Sequence, residues 1–260
     1  MRPATSFNPA AFQSALATAS IGRYLVYRET LDSTMDLAAR EAKEGAPHGT
    51  LVFAEEQTAG RGRRGRSFYS PVGQNLYFTL VFRCPVEVHR RLPLIVPLAV
   101  CTAVQAEAPA ARIKWPNDVW IGDRKVAGML IDAELSPAGA VALPGIGINV
   151  NADPTVVPEL RDIATSLARE LGRPVEREAL LARICNALEP LLEATGGHVL
   201  YEYRARSSTL GRGVLVVPVG GEPFEGTAIA IEDDGSLVVR RADDSVETVT
   251  AADVSVRPLA

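Results

Sequence analysis

Residues 60–66 read Gly60-Arg61-Gly62-Arg63-Arg64-Gly65-Arg66, four guanidinium groups interleaved with three glycines in a chain that is acidic overall. Arginine presents fixed forks of N–H donors matched to phosphate and carboxylate oxygens. Glycine lets the backbone bend closely around a ligand. Like charges this close repel one another, so the stretch reads as a loop that closes on a polyanion and stays mobile until one is bound. The residues just downstream bear on the fold. Gly60, Gly62 and Gly65 satisfy G-x-G-x-x-G, but that fingerprint requires a helix immediately after it. Ser67-Phe68-Tyr69-Ser70-Pro71 carries turn chemistry instead, which argues against a doubly wound dinucleotide-binding sheet. A broad nucleic-acid surface is disfavoured too, because 27 Lys+Arg stand against 31 Asp+Glu in the 260 residues. A solvated basic loop and a phosphate clamp over a nucleotide remain, and a second constellation is needed to choose.

Lys114-Trp115-Pro116-Asn117-Asp118 supplies it. Ala111-Arg112-Ile113 before it and Val119-Trp120-Ile121 after it are strand-like. Pro116 pushes Trp115 into an extended conformation, and Asn117-Asp118 brings turn-forming side chains. A lysine at such a strand end can project a point charge into a pocket whose wall Trp115 helps to form. The plain alternative is a hairpin with a surface lysine.

Working outward, strands are expected at 24–28, 51–54, 76–83, 112–114, 118–122, 125–135 and 140–150. Ser33 and Asp36 make a capping-box-like start to a helix reaching about Lys43. Further helical patterns cover 92–107, with Pro97 inside it, 165–171 and 176–195. Strands joined by short turns predict mainly antiparallel or mixed pairing with helices packed on one face, an α+β fold. From Gly211 the texture changes to short strands, 214–217, 226–231, 237–239 and 246–249, separated by Gly, Pro and Asp-Asp-Gly signals, as in a small β-barrel. The expected division is an N-terminal extension over 1–20, a catalytic domain over 21–208 and a terminal barrel over 211–260. Apolar residues make up 47% of the chain, enough for a sizeable core. No apolar run approaches the ~18 residues of a membrane span, and no secretory leader is evident, so a cytoplasmic location is expected. Cys84, Cys101 and Cys185 are scattered without metal spacing, as are His48, His89 and His198.

These strings together resemble the biotin protein ligases. The resemblance is carried, in order, by Ser33-Thr34, Ala54-Glu55-Glu56-Gln57-Thr58-Ala59 leading into the arginine loop, Asn75-Leu76-Tyr77, Lys114 to Asp118, Lys125-Val126-Ala127-Gly128-Met129-Leu130 and Gly145-Ile146-Gly147-Ile148-Asn149-Val150. It spans residues 24–150 and weakens towards the C-terminus. Met35 and Phe68 depart from it, standing where the family often has Asn and Trp.

The resemblance implies a class II synthetase-like catalytic domain followed by an SH3-like barrel. It implies ATP-dependent activation of biotin as biotinyl-5′-AMP, then transfer to a lysine of a biotin carboxyl-carrier domain. Biotin, ATP and Mg2+ are the implied small molecules, with magnesium bridging phosphates mostly through water and no protein cage for it. Lys114 and Arg63 are the expected catalytic groups. Biotin would meet Ser33, Thr34, Gln57, Gly60, Arg61, Gly62, Arg63, Lys114 and Gly128. ATP would meet Arg63, Arg66, Asn117 and Asn149. Gly128 and Gly147 would permit close backbone approach. The residues before Ile21 are too few for a winged-helix DNA-binding domain, so a monofunctional ligase without a nucleic-acid or membrane partner is expected, and a homodimer is left open. The alternatives are a lipoate or octanoate ligase, against which the missing glycine-triplet motif counts, and a biotin-dependent regulator without ligase activity.

Overall fold

Leu76-Tyr77-Phe78-Thr79-Leu80-Val81-Phe82 is apolar almost without interruption and buried throughout, the pattern of a strand covered on both faces. The computed structural model describes residues 6–62, 65, 68–218, 222–250 and 254–258. In it, this run belongs to a seven-stranded sheet built from β1 (Leu25–Leu31), β2 (Thr50–Gln57), β3 (Leu76–Cys84), β4 (Ala111–Lys114), β5 (Asp118–Ile121), β6 (Arg124–Ser136) and β7 (Gly139–Ile148). The spatial order is β1-β2-β3-β7-β6-β5-β4. Only β1 and β2 run parallel; every other neighbouring pair is antiparallel. The mixed sheet is therefore the one expected from strands joined by short turns.

The main core lies on one face, under α1 (Pro9–Ala15), α3 (Val86–Gln105), α5 (Arg177–Glu193) and α6 (Gly196–Arg206). Phe78, Leu80, Phe82, Ile146 and Ile148 point into it, alternating with residues of the opposite face. The expectation of helices on one face needs correction here. α2 (Thr34–Lys43) covers the other face, where Leu37, Ala38 and Ala42 pack on Val26, Val52, Val81 and Leu143. Its apolar side simply matches the second set of alternating strand residues. α3 begins at Val86, ahead of the expected 92, and runs through Pro93 and Pro97. The short α4 (Leu167–Leu171) ends at Gly172 in the left-handed region.

Patterning alone gives no sign of α1, α6 or a fifth terminal strand. α1 has seven residues and is capped by Asn8, whose Oδ1 accepts from the N–H groups of Ala10 and Ala11 at 3.1 Å each. α6 opens on Gly196-Gly197, poor helix formers, and is capped by Thr195. The C-terminal strands β8 (Gly213–Pro218), β9 (Phe224–Ile231), β10 (Leu237–Arg240), β11 (Val246–Val249) and β12 (Val254–Pro258) form a separate antiparallel sheet in the order β11-β10-β9-β8-β12.

Candidate functional site

One lateral row of paired residues crosses the sheet on the α2 side: Lys114 opposite Asp118, Asp118 opposite Gly128, Gly128 opposite Gly147, Gly147 opposite Tyr77 and Tyr77 opposite Ala54. Directly paired residues share a face, so the middle of this row is a strip of backbone with no side chains. Three side chains lie over the strip and its neighbour Gly145. A Cβ on Gly147 would sit 2.6 Å from Phe68 Cζ, one on Gly145 would sit 2.7 Å from Met35 Sδ, and one on Gly128 would sit 2.5 Å from Lys125 Nζ. A side chain at any of these positions would displace the group lying over it, most severely the Phe68 ring over Gly147. The two departures from the family pattern both fall here: Met35 is buried over Gly145, and Phe68 keeps an aromatic ring over Gly147, edge-on to Tyr77 at 6.3 Å.

Polar groups gather at the α2 end of the strip. Ser33, the helix N-cap, is buried and its Oγ accepts from the Met35 N–H at 3.3 Å. Thr34 is buried beside it; its N–H and hydroxyl both donate to Gln57 Oε1, at 2.9 and 3.1 Å, and its Oγ1 lies 2.9 Å from Thr79 Oγ1. Gln57 Nε2 donates to Ser70 Oγ at 3.3 Å, and Ser70 in turn donates to the Phe68 carbonyl. Gly60 is packed into this network: a Cβ there would sit 2.9 Å from Ser70 Oγ and 3.0 Å from Gln57 Nε2. Burial pushes the Tyr77 hydroxyl far above its ordinary pKa, so it acts as a neutral donor to the Pro71 carbonyl.

The charged groups stand at the two sides. Arg61 lies 3.0 Å from Asp36 and 3.6 Å from Asp132. Lys114 is buried, with Nζ 4.6 Å from the centroid of the Trp120 ring. Lys125, one-third exposed in its side chain, lies 2.7 Å from Asp118. It is a residue to which the sequence reading gives no part in the site. Its +3 spacing to Gly128 is the available signal, but a register shift between Val119 and Trp120 is what turns the side chain onto the glycine strip.

Of the remaining expected site residues, Asn117 donates from Nδ2 to the Met129 carbonyl, and Asn149 from Nδ2 to the Thr165 carbonyl at 3.1 Å. Gly62 lies beyond Arg61 in the same loop. Arg63 and Arg66 lie outside the described residues, as does part of the stretch expected to be mobile.

Beneath the strip, on the core face, Glu55 and Arg177 pair at 2.6 Å, both almost wholly buried. Asn75 is fully buried, and its Oδ1 accepts from the N–H groups of Val150, Asn151 and Ala152. Glu55 and Asn75 thus brace the ends of β2 and β7.

Residues 27–151 match the biotin/lipoate A/B protein ligase family and residues 209–257 the biotin protein ligase C-terminal domain. The bifunctional ligase/repressor BirA of Bacillus subtilis is 34% identical over 92% of this chain and 76% of its own length. A biotin--[acetyl-CoA-carboxylase] ligase of Mycobacterium tuberculosis is 33% identical over 88% of this chain and 87% of its own. The structure of an Aquifex aeolicus biotin protein ligase in complex with biotin and ATP superposes with a TM-score of 0.75 at 26% identity, covering 91% of this chain and all of that one. With catalytic-domain and C-terminal matches in order, and relatives covered over most of their length, this chain belongs to the biotin protein ligase family.

Proposed function

We propose that the chain activates biotin with ATP as biotinyl-5′-AMP and transfers it to a lysine of a biotin carboxyl-carrier domain. The observation that carries the site reading is the side-chain-free strip at Gly128 and Gly147, flanked by a neutral polar cluster at one end and an ammonium at the other. Biotin presents the matching pattern: an uncharged ureido ring, an apolar body and a carboxylate. Ser33, Thr34 and Gln57 would hold the ureido group and the carboxylate would reach the lysines, while the apolar body would take the strip once Phe68, which touches Gly147 in this structure, swings aside. Gly60, Arg61 and Gly62 belong to this proposal as the loop over biotin.

In the first step a biotin carboxylate oxygen bonds to the α-phosphorus of ATP, and the bond to the β-phosphate oxygen breaks, releasing pyrophosphate. Both reactants are anions, so a cation held at the forming bond lowers the barrier. At about 4 Å a unit charge contributes roughly 4 kcal/mol at an effective dielectric of 20. Lys114 is the residue that the family resemblance implies for this role. We extend it to Lys125, because that ammonium lies on the strip itself, fixed by Asp118, whereas Lys114 is buried beside Trp120. Arg63 and Arg66 remain candidates for the phosphates, and Asn117 and Asn149 for the nucleoside. Mg2+ would arrive on the triphosphate, with phosphate and water ligands. In the second step the neutral amine of the acceptor lysine bonds to the activated carbonyl carbon, AMP leaves with the bonding pair, and the amine's proton passes to solvent.

The test is direct. Purified protein with biotin, MgATP and a carrier domain should add the mass of one biotinyl group to one lysine. Lipoate and octanoate offered in parallel should release little pyrophosphate. An unmodified carrier at saturating biotin and ATP would sink the assignment.

A further inference from the structure

A buried tryptophan N–H needs an acceptor, and the acceptor for Trp115 comes from the other sheet. Trp115 is 1% exposed, and its Nε1 donates to the Gly235 carbonyl at 2.7 Å. Its backbone N–H donates to Thr209 Oγ1 at 3.0 Å, and the Ser208 N–H donates to the Ile113 carbonyl at 2.8 Å. The turn that presents Gly235 is itself stiff. Asp234 Oδ1 accepts from the N–H and the hydroxyl of Ser236, the Gly235 N–H donates to the Glu232 carbonyl, and Gly235 holds φ +83°. The Gly235 turn also abuts α3, where a Cβ would meet Pro93 and Leu94 side chains at 3.6 Å. Arg204 of α6 donates to the Ile231 carbonyl at the end of β9.

On the catalytic side, Trp115 occupies the connection between β4 and β5. Lys114 precedes it, and Asp118, opposite Lys114, holds the Lys125 ammonium at 2.7 Å. The position of that ammonium therefore depends on Asp118, and Asp118 sits on a hairpin whose turn is fastened through Trp115 to the C-terminal sheet. We propose that Trp115 is a positioning residue: its bond to Gly235 makes the C-terminal sheet a brace that sets where the Asp118–Lys125 pair stands over the glycine strip. The functional half of this inference rests on the ligase reading above; the mechanical half does not.

Trp115→Phe removes the Nε1 donor and, with it, the five-membered part of the buried ring. Asp234→Ala loosens the turn from the far side and guards against a Trp115 variant that fails to fold. Two measurements decide. In amide hydrogen exchange, both variants should raise exchange across residues 114–118; unchanged protection in both overturns the brace, whatever the enzyme's activity. In single-turnover adenylate synthesis, each should slow the chemical step by roughly three- to tenfold, the worth of one hydrogen bond, with KM for biotin within about twofold. Placed on a Lys125→Ala background, Trp115→Phe should cost almost nothing further, because groups acting through one another are not additive. Full additivity on that background would assign Trp115 a general structural role and overturn the inference. A parent enzyme that makes no adenylate would instead remove the ligase reading, leaving the exchange measurement to decide the brace.

Discussion

Glu55 and Arg177, 122 positions apart, meet at 2.6 Å below the site, and together they join β2 to α5 and to the start of the described chain. Glu55 Oε1 also accepts from the Phe7 N–H and, at 3.3 Å, from the Tyr27 hydroxyl, while Arg177 donates to the Asn75 carbonyl at 3.1 Å. A buried charge is tolerable only while its partners are present, and removing one partner from such a pair typically costs about 3–5 kcal/mol. Glu55→Gln should lower unfolding free energy by that order in urea titration. A loss under about 1 kcal/mol would mean that water or another group takes over the pairing.

The two lysines of the site are separable by kinetics. Lys125→Ala should slow adenylate formation by about 10²–10³, the usual effect of deleting one preorganised electrostatic group, with little change in melting temperature. Lys114→Ala should also slow it, by less, since its ammonium stands beside Trp120. Rapid-quench measurement of biotinyl-5′-AMP on both variants ranks them. Parent-like synthesis by Lys125→Ala would return the central role to Lys114 alone.

Thr34 sits in the polar cluster through three contacts, two to Gln57 and one to Thr79. Thr34→Val preserves shape and removes the hydroxyl, leaving Gln57 Oε1 with the Thr34 backbone N–H. KM for biotin should rise roughly tenfold, as for one or two lost hydrogen bonds, with KM for ATP nearly constant. A rise confined to ATP would move the ureido end of biotin elsewhere.

Glu189 gives a pH-dependent signature far from the site. Burial opposes its ionisation, but the N–H groups of Ser20, Ala19 and Ile21 and the Ser20 hydroxyl together bring its pKa down to about 2. A folded pKa below the unfolded value means stability that is present in full above pH about 4.5 and is lost as pH falls towards 2. Glu189→Gln should therefore be destabilised near neutrality by roughly 1–2 kcal/mol, and the gap from the parent should close in acid. A gap that stays constant from about pH 6 to about pH 3 would contradict this origin.

What the sequence determined by itself is local. Ser33 was legible as a helix cap because the capping geometry involves residues two and three positions away. The strands of both sheets other than β12 were legible because alternation and turn residues are properties of short windows. The arginine loop and the Lys114–Asp118 string carried the family because unusual residue types stand at fixed short spacings. Tertiary structure decided what depends on distant chain segments. α1 is a single short helix held by packing on α5 and by Glu178 and Asn186 at its two ends, and no window of sequence contains those partners. The side taken by α2 followed from which alternating set of strand residues the remaining helices left uncovered. The turning of Lys125 onto Gly128 required a register shift that no residue pattern announces, and the fastening of Trp115 to Gly235 joins residues 120 positions apart. Close approach and long-range pairing arise only when the chain is folded, which is why the motif residues could be named from the sequence but the geometry among them could not.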